Sequence, residues 1–198
     1  MRKIETIYHH LLYSAQKEGV YQHTQQEIAN RFSYSLSTIN HALTVPEHLG
    51  SLRKESKYFM VSDFKKLLYY WASIRNLEKD IFYHTFIDLP VVEIEGLIPP
   101  HSVYGCYTAA KQILHDSPAD YDKVYFYTAL SPADIETRFP LNSKRTANVY
   151  AIKLLPIMNQ YGPFTTIPQT FVDIWNLGDW YAHDFNLALE DAMHGLLS

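Results

Sequence analysis

The strongest constraint in the sequence is the order of local signals between Thr24 and Val61. Thr24 and Glu27 have the spacing of a capping box, in which a hydroxyl and a carboxylate satisfy amide donors that a helix start leaves without partners. Ile28, Ala29 and Phe32 then supply the apolar stripe of a short helix. Ser33-Tyr34 reads as a tight turn. Ser35 reads as the cap of a second helix, with Leu36, Ile39, Ala42 and Leu43 at helical spacing until Pro46 interrupts the pattern. Leu49-Gly50-Ser51-Leu52, the charged run Arg53-Lys54-Glu55-Ser56-Lys57 and Tyr58-Phe59-Met60-Val61 follow, which predicts a two-stranded hairpin with a basic tip. Upstream, Ile4, Ile7, Tyr8, Leu11, Leu12 and Ala15 mark one face of an amphipathic helix closed by Gly19.

Charge sets this segment apart from the rest. Residues 1–66 hold 9 Lys and Arg against 6 Asp and Glu, whereas residues 67–198 hold 8 against 15. A formal net charge of −4 therefore does not exclude a nucleic-acid partner for the amino-terminal part. The chain is 47% hydrophobic with 7 Gly and 10 Pro, which excludes a disordered or low-complexity chain. Its single cysteine, Cys106, cannot form an internal disulfide. No apolar run approaches the roughly 18–20 residues of a membrane span, and Met1-Arg2-Lys3 leads into a polar helix rather than a signal peptide. The expectation is a cytoplasmic protein.

The remaining chain reads as alternating elements. Ser62-Asp63 caps a long helix through Lys79 with Phe64, Leu67, Leu68, Trp71, Ile74 and Leu77 on one stripe, suited to dimerisation or to packing on the carboxy-terminal part. Ile81–Ile87, Val91–Ile94, Lys123–Thr128 and Ala147–Leu154 are expected strands, and Ser102–Leu114, Ser131–Phe139, Pro168–Trp175 and Asp179–Leu196 expected helices. The fold class is α+β, with residues 1–62 as one domain, 63–80 as a connector helix and 81–198 as an α/β domain with a small mixed sheet.

The run TQQEIANRFSYSLSTINHALTVPEHLGSLRKESKYFMV resembles the winged helix-turn-helix DNA-binding family, which implies that the second helix of the motif lies in the major groove. The positions facing bases are then Ser35, Ser37, Thr38, Asn40 and His41, with Asn40 able to bond an adenine edge through its paired donor and acceptor. Ser35 has the competing role of a helix cap. Arg31, Arg53, Lys54 and Lys57 are the expected phosphate contacts, where counterion release drives affinity. The competing view is a packing or protein-interaction module.

The order of this unit followed by GLIPPHSVYGCYTAAKQIL, KVYFYTA, NVYAIKLLP and TTIPQTFVDIWN resembles the AbiEi-type abortive-infection antitoxins over the whole chain. The resemblance implies an autorepressor that binds double-stranded DNA and counters a nucleotidyltransferase-like toxin through a carboxy-terminal domain that is not an enzyme. A homodimer is the expected assembly.

Enzyme chemistry has no sequence signal here: the P-loop, G-x-G-x-x-G, H-E-x-x-H and G-x-S-x-G patterns are missing, and no cofactor or metal is expected. His9-His10 are helix neighbours pointing about 100° apart, poor geometry for joint ligation. His183-Asp184 reads as a structural pair before a proton relay, and Cys106 as a small buried residue. Tyr121, Tyr125 and Tyr127 suit packing, base stacking or a protein interface. Asp116, Asp120, Asp122, Asp134 and Glu136 would repel DNA and attract a basic protein. Two alternatives to a DNA-binding antitoxin stay open: a regulator binding a small metabolite in its carboxy-terminal domain, and an enzyme with an accessory DNA-binding unit.

Overall fold

The computed structural model describes residues 1–197, which divide into two compact units: residues 1–75 with 190–197, and residues 76–189. The first holds ten Lys and Arg against eight Asp and Glu, the second seven against thirteen. Among the described residues no helix is long and apolar enough to cross a membrane.

In the first unit α1 (Lys3–Tyr13) runs into a π-helical turn that Gly19 ends in the left-handed region, at φ 68°. The strand β1 (Gln22–His23) precedes α2 (Gln25–Phe32), whose capping box between Thr24 and Glu27 forms as expected. Ser33 turns the chain at φ 54°, and the Ser35 side chain accepts from the Thr38 amide to start α3 (Leu36–His48). The strands β2 (Leu52–Lys54) and β3 (Phe59–Val61) form the hairpin, and β1 adds to it in the order β1-β3-β2, all antiparallel.

Pro46 does not end α3. The helix continues to His48 because the carbonyl that Pro46 cannot engage, that of Ala42, accepts a hydrogen bond from the buried Tyr8 hydroxyl at 2.7 Å. The helix α4 (Phe64–Ile74) starts at the Asp63 cap but stops five residues short of Lys79. Arg75 turns extended there and buries its guanidinium 3.5 Å from Glu5, while Arg2 donates to the Ile74 carbonyl at 2.7 Å. The apolar stripe of α4 packs against α1, so this helix belongs to the core of the first unit.

The second unit is built on a mixed sheet of β4 (Ile81–Thr85), β5 (Val103–Gly105), β6 (Val124–Thr128) and β7 (Val149–Lys153) in the order β4-β7-β6-β5. Only the central pair β6 and β7 is parallel. The small mixed sheet of the sequence reading is therefore present. One face carries Tyr83, Val124, Phe126, Val149 and Ala151 into a core with Ile94, Ile135 and Phe139. The last three come from, or directly follow, the helices α5 (Val91–Gly96) and α7 (Pro132–Arg138).

Three expected elements change. Val91–Ile94 is helical: Pro90 fixes φ at −57° just before it, and only Ile94 of α5 is buried, which offers a sheet nothing to pack. Residues 103–105 of the expected helix at 102–114 are β5, and the helix α6 (Cys106–Leu114) begins after it. A Cβ at Gly105 would sit 3.1 Å from the Tyr127 ring, so a side chain at this junction would push that ring aside by a few tenths of an ångström. The expected terminal helix breaks into α9 (Ala182–Ala192) and α10 (His194–Leu197), after α8 (Ile167–Trp175).

Candidate nucleic-acid interface

Helix α3 buries Ile39, Ala42, Leu43 and Pro46 and leaves Leu36, Ser37, Asn40 and His41 exposed. That division follows from helical spacing, because buried positions three and four apart fix which side chains remain outside. Ser35 and Thr38 serve each other: their hydroxyls lie 2.9 Å apart, and Ser35 accepts from the Thr38 amide at 3.2 Å. Their polar atoms maintain the helix start.

The hairpin lies beside this helix. Lys54 of β2 donates from Nζ to Asn40 Oδ1 at 3.3 Å and pairs with Glu47 at 2.7 Å. The Asn40 carbonyl oxygen, one half of the donor–acceptor pair that would read adenine, is thus already engaged. Arg53 pairs with Glu55 at 3.1 Å and donates to Met60 Sδ at 3.3 Å. Lys57 is exposed at the hairpin tip, over a recess of about 290 Å³ lined by Thr24, Gln26, Leu36, Glu55 and Tyr58. Arg31 lies exposed in the last turn of α2. Glu47 and Glu55 are the residues that sequence reasoning missed. Glu55 is visible two positions from Arg53, but Glu47 meets Lys54 only through the fold. The Arg53–Glu55 pair is solvent-exposed, of the kind that contributes about 0.2–1 kcal/mol, whereas Lys54 is half-buried against Glu47.

Against family models, curated proteins and solved structures, the chain matches none. The site therefore rests on its own geometry.

Beneath the hairpin, His9, His10 and His23 are buried together, with the His10 and His23 rings 5.7 Å apart and His10 edge-on to Phe32. Burial, helped by neighbouring positive charge, pushes His9 and His10 down to about 3, and burial lowers His23 as well. Among the described residues no group of three or more His, Cys, Asp or Glu is placed to hold a metal ion.

In the second unit several carboxylates are engaged by tyrosines. Tyr107 donates to Asp179 at 2.8 Å, Tyr181 to Asp122 at 2.6 Å and Tyr121 to Glu95 at 2.5 Å, and Lys123 pairs with Asp179. Burial and then the adjacent carboxylates raise Tyr107, Tyr121 and Tyr181 far above the usual phenol range. Tyr125 and Tyr127 are buried in the sheet, Tyr127 against the fully buried Asp173, and neither offers a ring to a base. Asp134 caps α7 through Ser131. Cys106 starts α6 with φ 47°, and its thiol is fully buried. His183 and Asp184 are both exposed. A recess of about 460 Å³ is lined by Phe86, Asp88, Lys123 and Asn148; there Asn148 bonds both backbone groups of Ile87 at 2.9 Å, Lys123 holds Asp179, and the exposed Asp88 pairs with Arg145 at 3.3 Å.

Proposed function

We propose that this chain is a sequence-specific, double-stranded-DNA-binding transcriptional regulator whose first unit is a winged helix-turn-helix. Helix α3 enters the major groove and the β2–β3 hairpin is the wing that meets the phosphates. The observation that carries this reading is the joining of the two parts at Lys54 and Asn40, which makes the exposed polar side of α3 and the cationic hairpin one surface. Groove readers need that combination: polar side chains for base edges and cations for the backbone.

The second unit, with its acidic balance and its tyrosine–carboxylate pairs, is a protein-contact module in this reading. The likeness to AbiEi-type antitoxins makes the function an autorepressor with a nucleotidyltransferase-like toxin as partner, acting as a homodimer in the cytoplasm.

The test is fluorescence anisotropy on duplexes enriched from a random library, at two salt concentrations. The full chain is expected to bind with steep salt dependence. Changing Arg53, Lys54 and Lys57 together to Ala is expected to lower the slope of log K against log salt by up to about 2.7, at about 0.9 per phosphate contact. Binding that ignores both salt and the triple change refutes the proposal.

A further inference from the structure

An asparagine facing the major groove recognises adenine when its carbonyl oxygen accepts from the base N6 amine while its amide nitrogen donates to N7. In this protein the carbonyl oxygen of Asn40 is held. Lys54 Nζ lies 3.3 Å from it, and an ammonium only donates, so the side-chain amide is oriented with oxygen toward Lys54 and nitrogen left to offer. Glu47 secures the arrangement by pairing with the same ammonium at 2.7 Å, and it stands one side of α3 toward β2 as Asn40 does. The Asn40 backbone is also tied, since Thr44 donates to its carbonyl at 2.9 Å.

Such a pair presents the Asn40 amide nitrogen and the Lys54 ammonium as donors, and leaves the Asn40 oxygen one lone pair, beside a cation. Among the major-groove edges guanine shows two adjacent acceptors, N7 and O6, whereas adenine shows one acceptor and one donor. An adenine amine brought to Asn40 would have to share that oxygen with the Lys54 ammonium, one donor crowding another, whereas a guanine acceptor meets only donors.

We infer that Lys54 is a specificity-determining residue that fixes Asn40 as a hydrogen-bond donor, so that position 40 selects guanine rather than adenine. The inference rests on the reading of α3 as the groove helix and deepens it. Lys54 acts here through Asn40 as well as through its charge. These two roles separate experimentally, because loss of a phosphate contact weakens all sequences alike while loss of the orienting bond changes which base is preferred.

The experiment is selection of duplexes from a random library with the full chain, followed by titration of the enriched site with each base at each position. Wild-type protein is expected to show one position preferring guanine over adenine by roughly tenfold, a preference of the size a paired contact to a base edge provides, and Asn40→Ala is expected to erase it. Lys54→Met frees the carbonyl oxygen and is expected to shift that position toward adenine. Lys54→Arg, which keeps a donor facing Asn40, is expected to retain guanine. The double change Asn40→Ala with Lys54→Met is expected to show no preference there. Lys54→Met protein that binds with an unchanged base preference overturns the inference, as does wild-type selection of adenine at the position that Asn40→Ala erases. A library yielding no enriched duplex overturns the DNA-binding reading itself, and this inference with it.

Discussion

Lowering the pH from 7.5 to 5 should weaken the first unit through its buried histidines. His9 and His10 stay neutral in the folded chain down to about pH 3, whereas in the unfolded chain they take up protons near 6.5. The unfolded state therefore binds more protons throughout this interval, and stability falls as pH drops below 6.5 toward 3. At pH 5 each histidine contributes a loss of about 2 kcal/mol, the two together about 4 kcal/mol, from the ratio of unfolded to folded proton binding. His23 acts in the same direction, and the charged groups around the three rings are Arg31, Glu27 and Glu18. A loss of about 4 kcal/mol is a large part of the 5–15 kcal/mol of a typical domain. Trp71 is the fully buried tryptophan of the first unit, so urea unfolding followed by its fluorescence in a Trp175→Phe, Trp180→Phe background reads this unit alone. The difference between pH 7.5 and 5 should shrink by about 2 kcal/mol in His10→Gln and by about 4 kcal/mol in the His9→Gln, His10→Gln pair. An equal difference in all three proteins refutes the reasoning.

Other changes probe the same core and the second unit. Tyr8→Phe leaves the Ala42 carbonyl buried without its hydroxyl donor and should cost about 1–3 kcal/mol in thermal or urea unfolding. Arg75→Ala removes one of the partners of the buried Glu5, which keeps Arg2 and Trp71, and should cost about 1.5–3 kcal/mol by the same measurement, more than Lys66→Ala at the exposed pair with Asp63. Tyr127→Phe takes a hydroxyl from the fully buried Asp173 and should destabilise the second unit by about 1.5–3 kcal/mol, read by hydrogen exchange of the β6 amides.

The elements that could be read from the sequence were those whose causes are local. Thr24 with Glu27 and Ser131 with Asp134 start helices within four residues of chain, and both capping boxes form. The hairpin was legible because two apolar runs flank a charged turn. In contrast, β1 is two residues long and leaves no period to detect, and it exists by pairing with β3 across the fold. The β-branched run at Val91 and Val92 suggested a strand, but those side chains are partly or largely exposed and the local geometry after Pro90 prevails. At the candidate interface, the outward positions of α3 followed from its period. The engagement of Asn40 by Lys54, and of Lys54 by Glu47, depends on where β2 comes to rest against α3, which no spacing along the chain encodes.

The hydroxyl that Tyr8 lends to α3 ties the history of two distant codons. A lineage that loses Pro46 regains a backbone donor for Ala42 and makes the phenol redundant, whereas a lineage that loses Tyr8 first inherits a stranded carbonyl inside the helix that presents Asn40. Among descendants of this chain, proline at 46 should therefore disappear before tyrosine at 8 does, and the reverse order should be scarce.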